Sequence, residues 1–393
     1  MRIIDYPYPV SVFIKVSIPL LFIVMLLSCH GNHKNTDVDK QGSDNKIVKT
    51  AKGFSIIKSD NYSILTVKDP WQGAEGIKFV NYLVLRGSPI PQGIPAEKVI
   101  FVPIRSIVCM STTHVGMINA LGESESITGI STAGYVYSDE ITSRVKQGTI
   151  NEVGYETSLN HELIIKLSPD LVMMYGIGSE SSGHVNKLNE LGIKIMFNGD
   201  YLETDPLAKA EWIKVFGALY CKEELADSIY NKEVNDYNAV RDYVKENTES
   251  KPQVLLGLPF KDTWFISPGN SFVSKLIEDA GGNYLWKNTS SPVSMPYGLE
   301  NVYIAAMNAD YWLNIGTVMN SGEISLVDNR LADLKCFRNG NLYNNNRRIT
   351  DTGGNDYWES GALWPHLILK DVASILHPGL FPEHELYYYR KIN

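Results

Sequence analysis

Apolar and polar positions change their spacing several times along the chain. From Val16 to Leu27 runs V-S-I-P-L-L-F-I-V-M-L-L, with Arg2 and Lys15 before it and Ser28 and Cys29 closing it. A basic start, an apolar middle and a small closing residue make an export signal. This run is shorter than the roughly 20 residues a bilayer-crossing helix needs, so no permanent span is expected. Between His30 and Lys46 there is no Phe, Tyr or Trp, and Val38 is the single branched apolar residue. Such a stretch buries too little to fold and reads as a spacer.

Residues 52 to 90 hold F-S-I-I, Y-S-I-L-T-V and Y-L-V-L, short β-branched and aromatic runs separated by Asn, Asp, Gly and Pro. These predict hairpin strands. From Val99 the runs V-I-F-V and S-I-V-C-M predict buried strands, and Val115, Ile118 and Leu121 after them sit at helical spacing. The unit recurs through I-T-G-I-S, L-V-M-M-Y, a helix across His184 to Leu191, and I-K-I-M-F. Residues 205 to 247 have no Pro after Pro206 and one Gly, Gly217, which predicts one long helix or two in series. A second set follows in V-L-L-G-L, W-F-I-S-P-G-N-S, a helix from Phe272 to Ala280, Y-W-L-N-I, N-L-Y and a last helix from Pro365 to Leu376. Strands alternating with helices imply mostly parallel sheets covered on both faces.

The expected fold class is therefore α/β: two αβ lobes joined by a long helix, with a ligand cleft between them. The expected boundaries are a signal at 1–28, a cysteine and spacer at 29–50, and a β-hairpin extension at 51–97. An N-terminal lobe at 98–204, an interlobe helix at 205–248 and a C-terminal lobe at 249–393 complete the chain. Loss of the signal takes the formal charge from −8 to −9, because Arg2, Lys15 and Asp5 go with it. An acidic chain is a poor match for nucleic-acid phosphates. Beyond Cys29 only Cys109, Cys221 and Cys336 remain, which indicates neither a disulfide framework nor a CxxC metal site. No G-x-S-x-G elbow, Walker loop or G-x-G-x-x-G occurs, which counts against an enzyme and points to no catalytic residue.

Two resemblances sharpen this. L-L-S-C resembles the lipobox of bacterial lipoproteins, which implies cleavage before Cys29, acylation of its thiol and an extracytoplasmic, membrane-anchored protein. From about Lys98 onward the chain resembles the solute-binding proteins of ABC importers for vitamin B12, haem and iron-siderophores. The carrying residues are I-R-S-I-V-C-M-S-T-T-H-V-G-M-I-N-A-L-G, E-V-G-Y at Glu152, L-S-P-D-L at Leu167 to Leu171, the L-G-I entry at Leu191 and D-A-G-G-N at Asp279 to Asn283.

That resemblance implies a monomer that delivers a metal chelate or tetrapyrrole, as cargo and not cofactor, to a permease and its ATPase. It also implies that Glu162 and Glu300, one per lobe, dock onto permease arginines. The alternative role for both acids is stabilisation of helix N-termini. Tyr135, Tyr137, Tyr175, Trp264, Tyr297 and Trp358 fall in predicted loops at strand ends and are the candidate ligand-lining rings, with lobe packing as the other use of each. His114, in the first loop after a strand, is the candidate for direct Zn, Mn or Fe binding, though no HxH or HxxxH pairing supports it. A surface capture lipoprotein without a permease is the remaining alternative.

Overall fold

The computed structural model describes residues 47–176 and 187–393. The expected signal, Cys29, the spacer up to residue 46 and His184 lie outside the described residues.

β1 (Phe54–Lys58), β2 (Tyr62–Lys68) and β3 (Lys78–Leu85) form an antiparallel meander, as their alternating patterns predict. β4 (Val99–Val102), expected to open the first lobe, instead adds to this sheet parallel to β3. A short V-I-F-V run has the same pattern whichever sheet receives it, so periodicity alone did not assign it.

The first lobe follows. β5 (Ile107–Cys109), α1 (Thr112–Ala120), β6 (Ile127–Ile130), α2 (Asp139–Lys146), β7 (Asn151–Glu152), α3 (His161–Leu167), β8 (Leu171–Met174) and β9 (Ile195–Phe197) build a parallel sheet in the order β7-β6-β5-β8-β9. The strand order reverses beside β5, which opens a crevice beyond the carboxyl ends of the strands.

Where one or two helices were expected there are three: α4 (Pro206–Glu211), α5 (Ile213–Tyr220) and α6 (Glu223–Asn247). Cys221 breaks the run with a φ of +54°, closing α5 before α6 starts. All of α5 is buried, Lys214 included, its ammonium paired with Glu211 at 2.9 Å. α6, at about 1.5 Å per residue, is long enough to serve both lobes. Its Ala226 and Tyr230 pack in the first core, and its Tyr237 and Val244 in the second.

The second lobe contains β10 (Gln253–Leu256), β11 (Thr263–Ile266), α7 (Phe272–Asp279), β12 (Asn283–Tyr284), β13 (Met295–Gly298), α8 (Leu299–Ala306), β14 (Tyr311–Leu313) and α9 (Ser321–Val327). α10 (Lys335–Arg338), β15 (Leu342–Asn344), α11 (Asp356–Glu359), α12 (Pro365–Leu376) and β16 (Arg390–Lys391) follow. Its main sheet runs β12-β10-β14-β15-β16, with β16 antiparallel, while β11 and β13 pair separately as an antiparallel ribbon. Buried Glu233 of α6 accepts the His366 N–H at 2.8 Å and bonds its Nδ1 at 2.6 Å, tying the long helix to α12.

The lobes touch directly at one end of their interface. A Cβ on Gly116 of α1 would lie 2.2 Å from the Glu359 carbonyl oxygen, and one on Gly354 would lie 2.1 Å from that of Val136. Only glycine permits backbones to approach so closely. Among the described residues no helix is long and apolar enough to cross a membrane.

Candidate functional site

Beside the Gly116–Glu359 contact the lobes line an open cleft of about 680 Å³, with Tyr357 and Trp358 in its wall. Such a volume suits one small organic ligand. The turn after β9 supplies Tyr201, Leu202 and Glu203, and α4 supplies Lys209. The second lobe supplies Phe265, Ser267, Phe272, Asn314 and Trp358, while Asp69, Trp71 and Gln72 come from the N-terminal sheet.

The chemistry of these walls is mixed. The Lys209 ammonium lies 4.6 Å from the centre of the Phe272 ring, a cation–π contact. Burial lowers its pKa, against the pull of Asp200 and Glu203. Glu203 is already engaged, accepting the N–H groups of Lys52 and Gly53 at 3.0 and 2.9 Å and that of the Trp212 indole at 3.2 Å. Among the described residues that line the cleft, Lys209 is the one cation. Asn314, just past β14, holds a φ of +55°, and its Oδ1 accepts the Tyr389 hydroxyl at 2.7 Å. A non-glycine residue in that region costs on the order of 1–3 kcal/mol and needs surrounding structure to hold it.

The six candidate rings are not brought together. Trp358, 59% exposed, lines the cleft and meets Tyr357 edge-on at 4.7 Å. Tyr175 stands one ring behind it, 4.5 Å from Tyr201, whose hydroxyl donates to the Gly176 carbonyl. Tyr137 lies at the lobe contact, with the Arg348 guanidinium 5.0 Å from its ring, and Tyr135 is exposed beside Tyr155. Tyr297 is half-buried on β13, 6.3 Å from Trp286.

Trp264 requires a correction. It lies on β11, not in a loop, and is fully buried, its indole N–H donating to the Leu256 carbonyl at 2.9 Å and its ring 5.7 Å from Trp312. Strand side chains alternate between faces, so its neighbour Phe265 points outward, 55% exposed, and lines the cleft instead. His114 is corrected likewise: it is buried on α1, beside Phe216, and burial lowers its pKa to about 3. Among the described residues no group of three or more His, Cys, Asp or Glu could hold a metal ion.

Glu162 is exposed at the start of α3, where Asn160 caps the helix. Glu300 is exposed in the first turn of α8, 3.5 Å from the Arg330 guanidinium, which is more closely held by Asp328 at 2.8 Å. Lys209, Phe272, Asn314 and Trp71 escaped the sequence reading. Lys209 looks like any lysine on a predicted helix, and only the positive φ of Asn314, invisible in sequence, marks it.

The sequence pattern of the family described as periplasmic binding protein matches residues 107–349. An uncharacterized lipoprotein of Methanocaldococcus jannaschii is 27% identical over 88% of this chain and 86% of its own length. That share exceeds what residues 107 to 393 amount to, so the likeness runs into the N-terminal sheet. Among solved structures, a periplasmic haem-binding protein from Pseudomonas aeruginosa superposes with a TM-score of 0.57, 15% identity, and 74% of this chain and 98% of its own covered. A possible iron-binding periplasmic solute-binding protein from Staphylococcus epidermidis gives 0.54 and 17%, over 70% of this chain and 99% of its own. At such identities the likeness concerns the fold.

Proposed function

This chain belongs to the periplasmic binding protein family, and we propose that it is the lipid-anchored binding component of an ABC importer, capturing a metal chelate or tetrapyrrole. The observation that carries the reading is the cleft itself: rings of Trp358, Phe265 and Phe272 beside one cation, Lys209, between two αβ lobes. Flat aromatic faces suit a macrocycle or catecholate, and an ammonium suits the carboxylates or phenolates such ligands carry. Haem- and iron-binding among the structural neighbours supports this ligand class.

In this reading Cys29 is acylated and the folded part is a monomer outside the cytoplasm. Glu162 and Glu300 meet permease arginines, where exposed carboxylates give orientation and on-rate more than affinity. ATP hydrolysis belongs to the partner. The long α6, packed against both cores, resists bending, so lobe closure on ligand is modest. The test is the absorption spectrum of the protein purified from its native host. A porphyrin, corrin or ferric-catecholate band released on denaturation is expected. A co-purified ligand of another class, a sugar or peptide, would overturn the assignment.

A further inference from the structure

The N-terminal sheet precedes the span that matches the family, yet it reaches the cleft. Between β2 and β3 the chain makes an excursion whose neck is tied twice: the Asp69 N–H donates to the Ile77 carbonyl at 2.8 Å, and Asp69 Oδ1 accepts the Ile77 N–H at 3.0 Å. Trp71 then sinks into the first lobe, its ring 5.4 Å from Phe197 and 6.0 Å from Phe79. This anchors the excursion by burial of a large ring.

Gln72, next in sequence, is exposed and bonds to both lobes. Its backbone N–H donates to the Tyr201 hydroxyl at 3.2 Å on the first lobe. Its side-chain Nε2 donates to the Pro292 carbonyl at 3.1 Å, in the segment between β12 and β13 of the second. Tyr201 and Pro292 both line the cleft, so this bond runs across its mouth.

We propose that the Asp69–Ile77 turn is a third wall of the ligand site and that the Gln72–Pro292 bond is the tie across its mouth that ligand exchange must open. This rests on the cleft being the ligand site. The rim so formed limits what enters, and a rigid Trp71 anchor lets a single side chain restrain two lobes. One hydrogen bond of this kind is a modest barrier, suited to a site that must both hold and hand over its cargo.

The test compares wild type with Gln72→Ala, an exposed substitution that leaves Trp71 in place. Backbone hydrogen exchange without ligand is the first readout: residues 70–76 and 291–294 should exchange faster together in the variant. Unchanged exchange at 291–294 would overturn the tie. The second readout is dissociation of bound haemin, cobalamin or a ferric catecholate, expected to accelerate about three- to tenfold, the worth of one such bond. An unchanged rate would overturn the role in exchange. If wild type binds none of the three, the functional reading fails, while the exchange result still decides whether the turn bridges the lobes.

Discussion

Glu359 of the second lobe accepts the backbone N–H of Tyr137 in the first at 2.6 Å, and its other oxygen accepts that of Ser138 at 3.1 Å. Burial pushes this carboxyl up to about 7, opposed by those two N–H groups and assisted by the negative charge of Asp356. Arg348 faces the same contact, paired with Asp356 at 2.6 Å and stacked between Tyr137 and Tyr387. The folded-state pKa lies above the unfolded one, so the folded protein holds this proton more tightly. The group's contribution to stability is fully present below the ordinary glutamate value and is lost as pH rises through about 7.

The expected outcome is a urea midpoint that falls between about pH 5 and about pH 8, by up to about 3 kcal/mol of stability, with the lobe contact loosening at the alkaline end. Glu359→Gln, which stays neutral, should flatten that slope. A variant with the wild-type slope would assign the pH dependence to another group.

Trp264 and Trp358 should separate core from site. Trp264→Ala removes a buried indole and should cost about 3–5 kcal/mol in urea unfolding. Trp264→Phe, folded but lacking that indole, should bind ligand as wild type does. Trp358→Ala should leave stability within about 0.5 kcal/mol, since the residue is largely exposed, and weaken binding at least tenfold. Equal loss of affinity in Trp264→Phe and Trp358→Ala would contradict the placement.

These two residues also show how far the chain could be read unaided. Pro365–Leu376 and Phe272–Asp279 were legible because Pro at a helix start, and Ser271 as a cap, are local signals. The αβ alternation made the mostly parallel sheets legible, though β4 joins β3 and not the first lobe's sheet. W-F-I-S-P-G-N-S misled because the run carries both a strand and a turn, and only pairing with β13 fixes which ring points inward. Cleft membership of Trp71 and Lys209 depends on segments far apart in sequence meeting in space, which no local pattern reports.

The first described residues are also held by buried charge. Glu211 accepts the N–H groups of Lys49, Thr50 and Ala51 at 2.7, 2.6 and 2.8 Å and pairs with buried Lys214 at 2.9 Å. Glu211→Ala leaves those three N–H donors without their acceptor, while Lys214 keeps Asp227 at 3.3 Å and the Ile47 carbonyl at 2.7 Å, and should cost on the order of 1–3 kcal/mol. Limited proteolysis should then cut at residues 47–53, which wild type protects. An uncut N-terminus in the variant would show that Glu203 alone suffices to hold it.

For docking, a Glu162→Ala, Glu300→Ala double variant should bind ligand normally and lose uptake in cells, because both acids are exposed and neither lines the cleft. Stability should change little, surface pairs such as Glu300–Arg330 contributing about 0–1 kcal/mol. Uptake at the wild-type rate would leave both as helix-end acids with no docking role.

Tryptophan fluorescence of the purified mature protein, titrated with haemin, cobalamin and a ferric catecholate, tests the central claim most directly. Saturable quenching by one of the three, its midpoint raised at least tenfold in Trp358→Ala and raised also in Lys209→Met, is the predicted result. A wild-type protein that none of the three quenches, or quenching that survives both substitutions unchanged, would contradict a metal-chelate or tetrapyrrole site in this cleft.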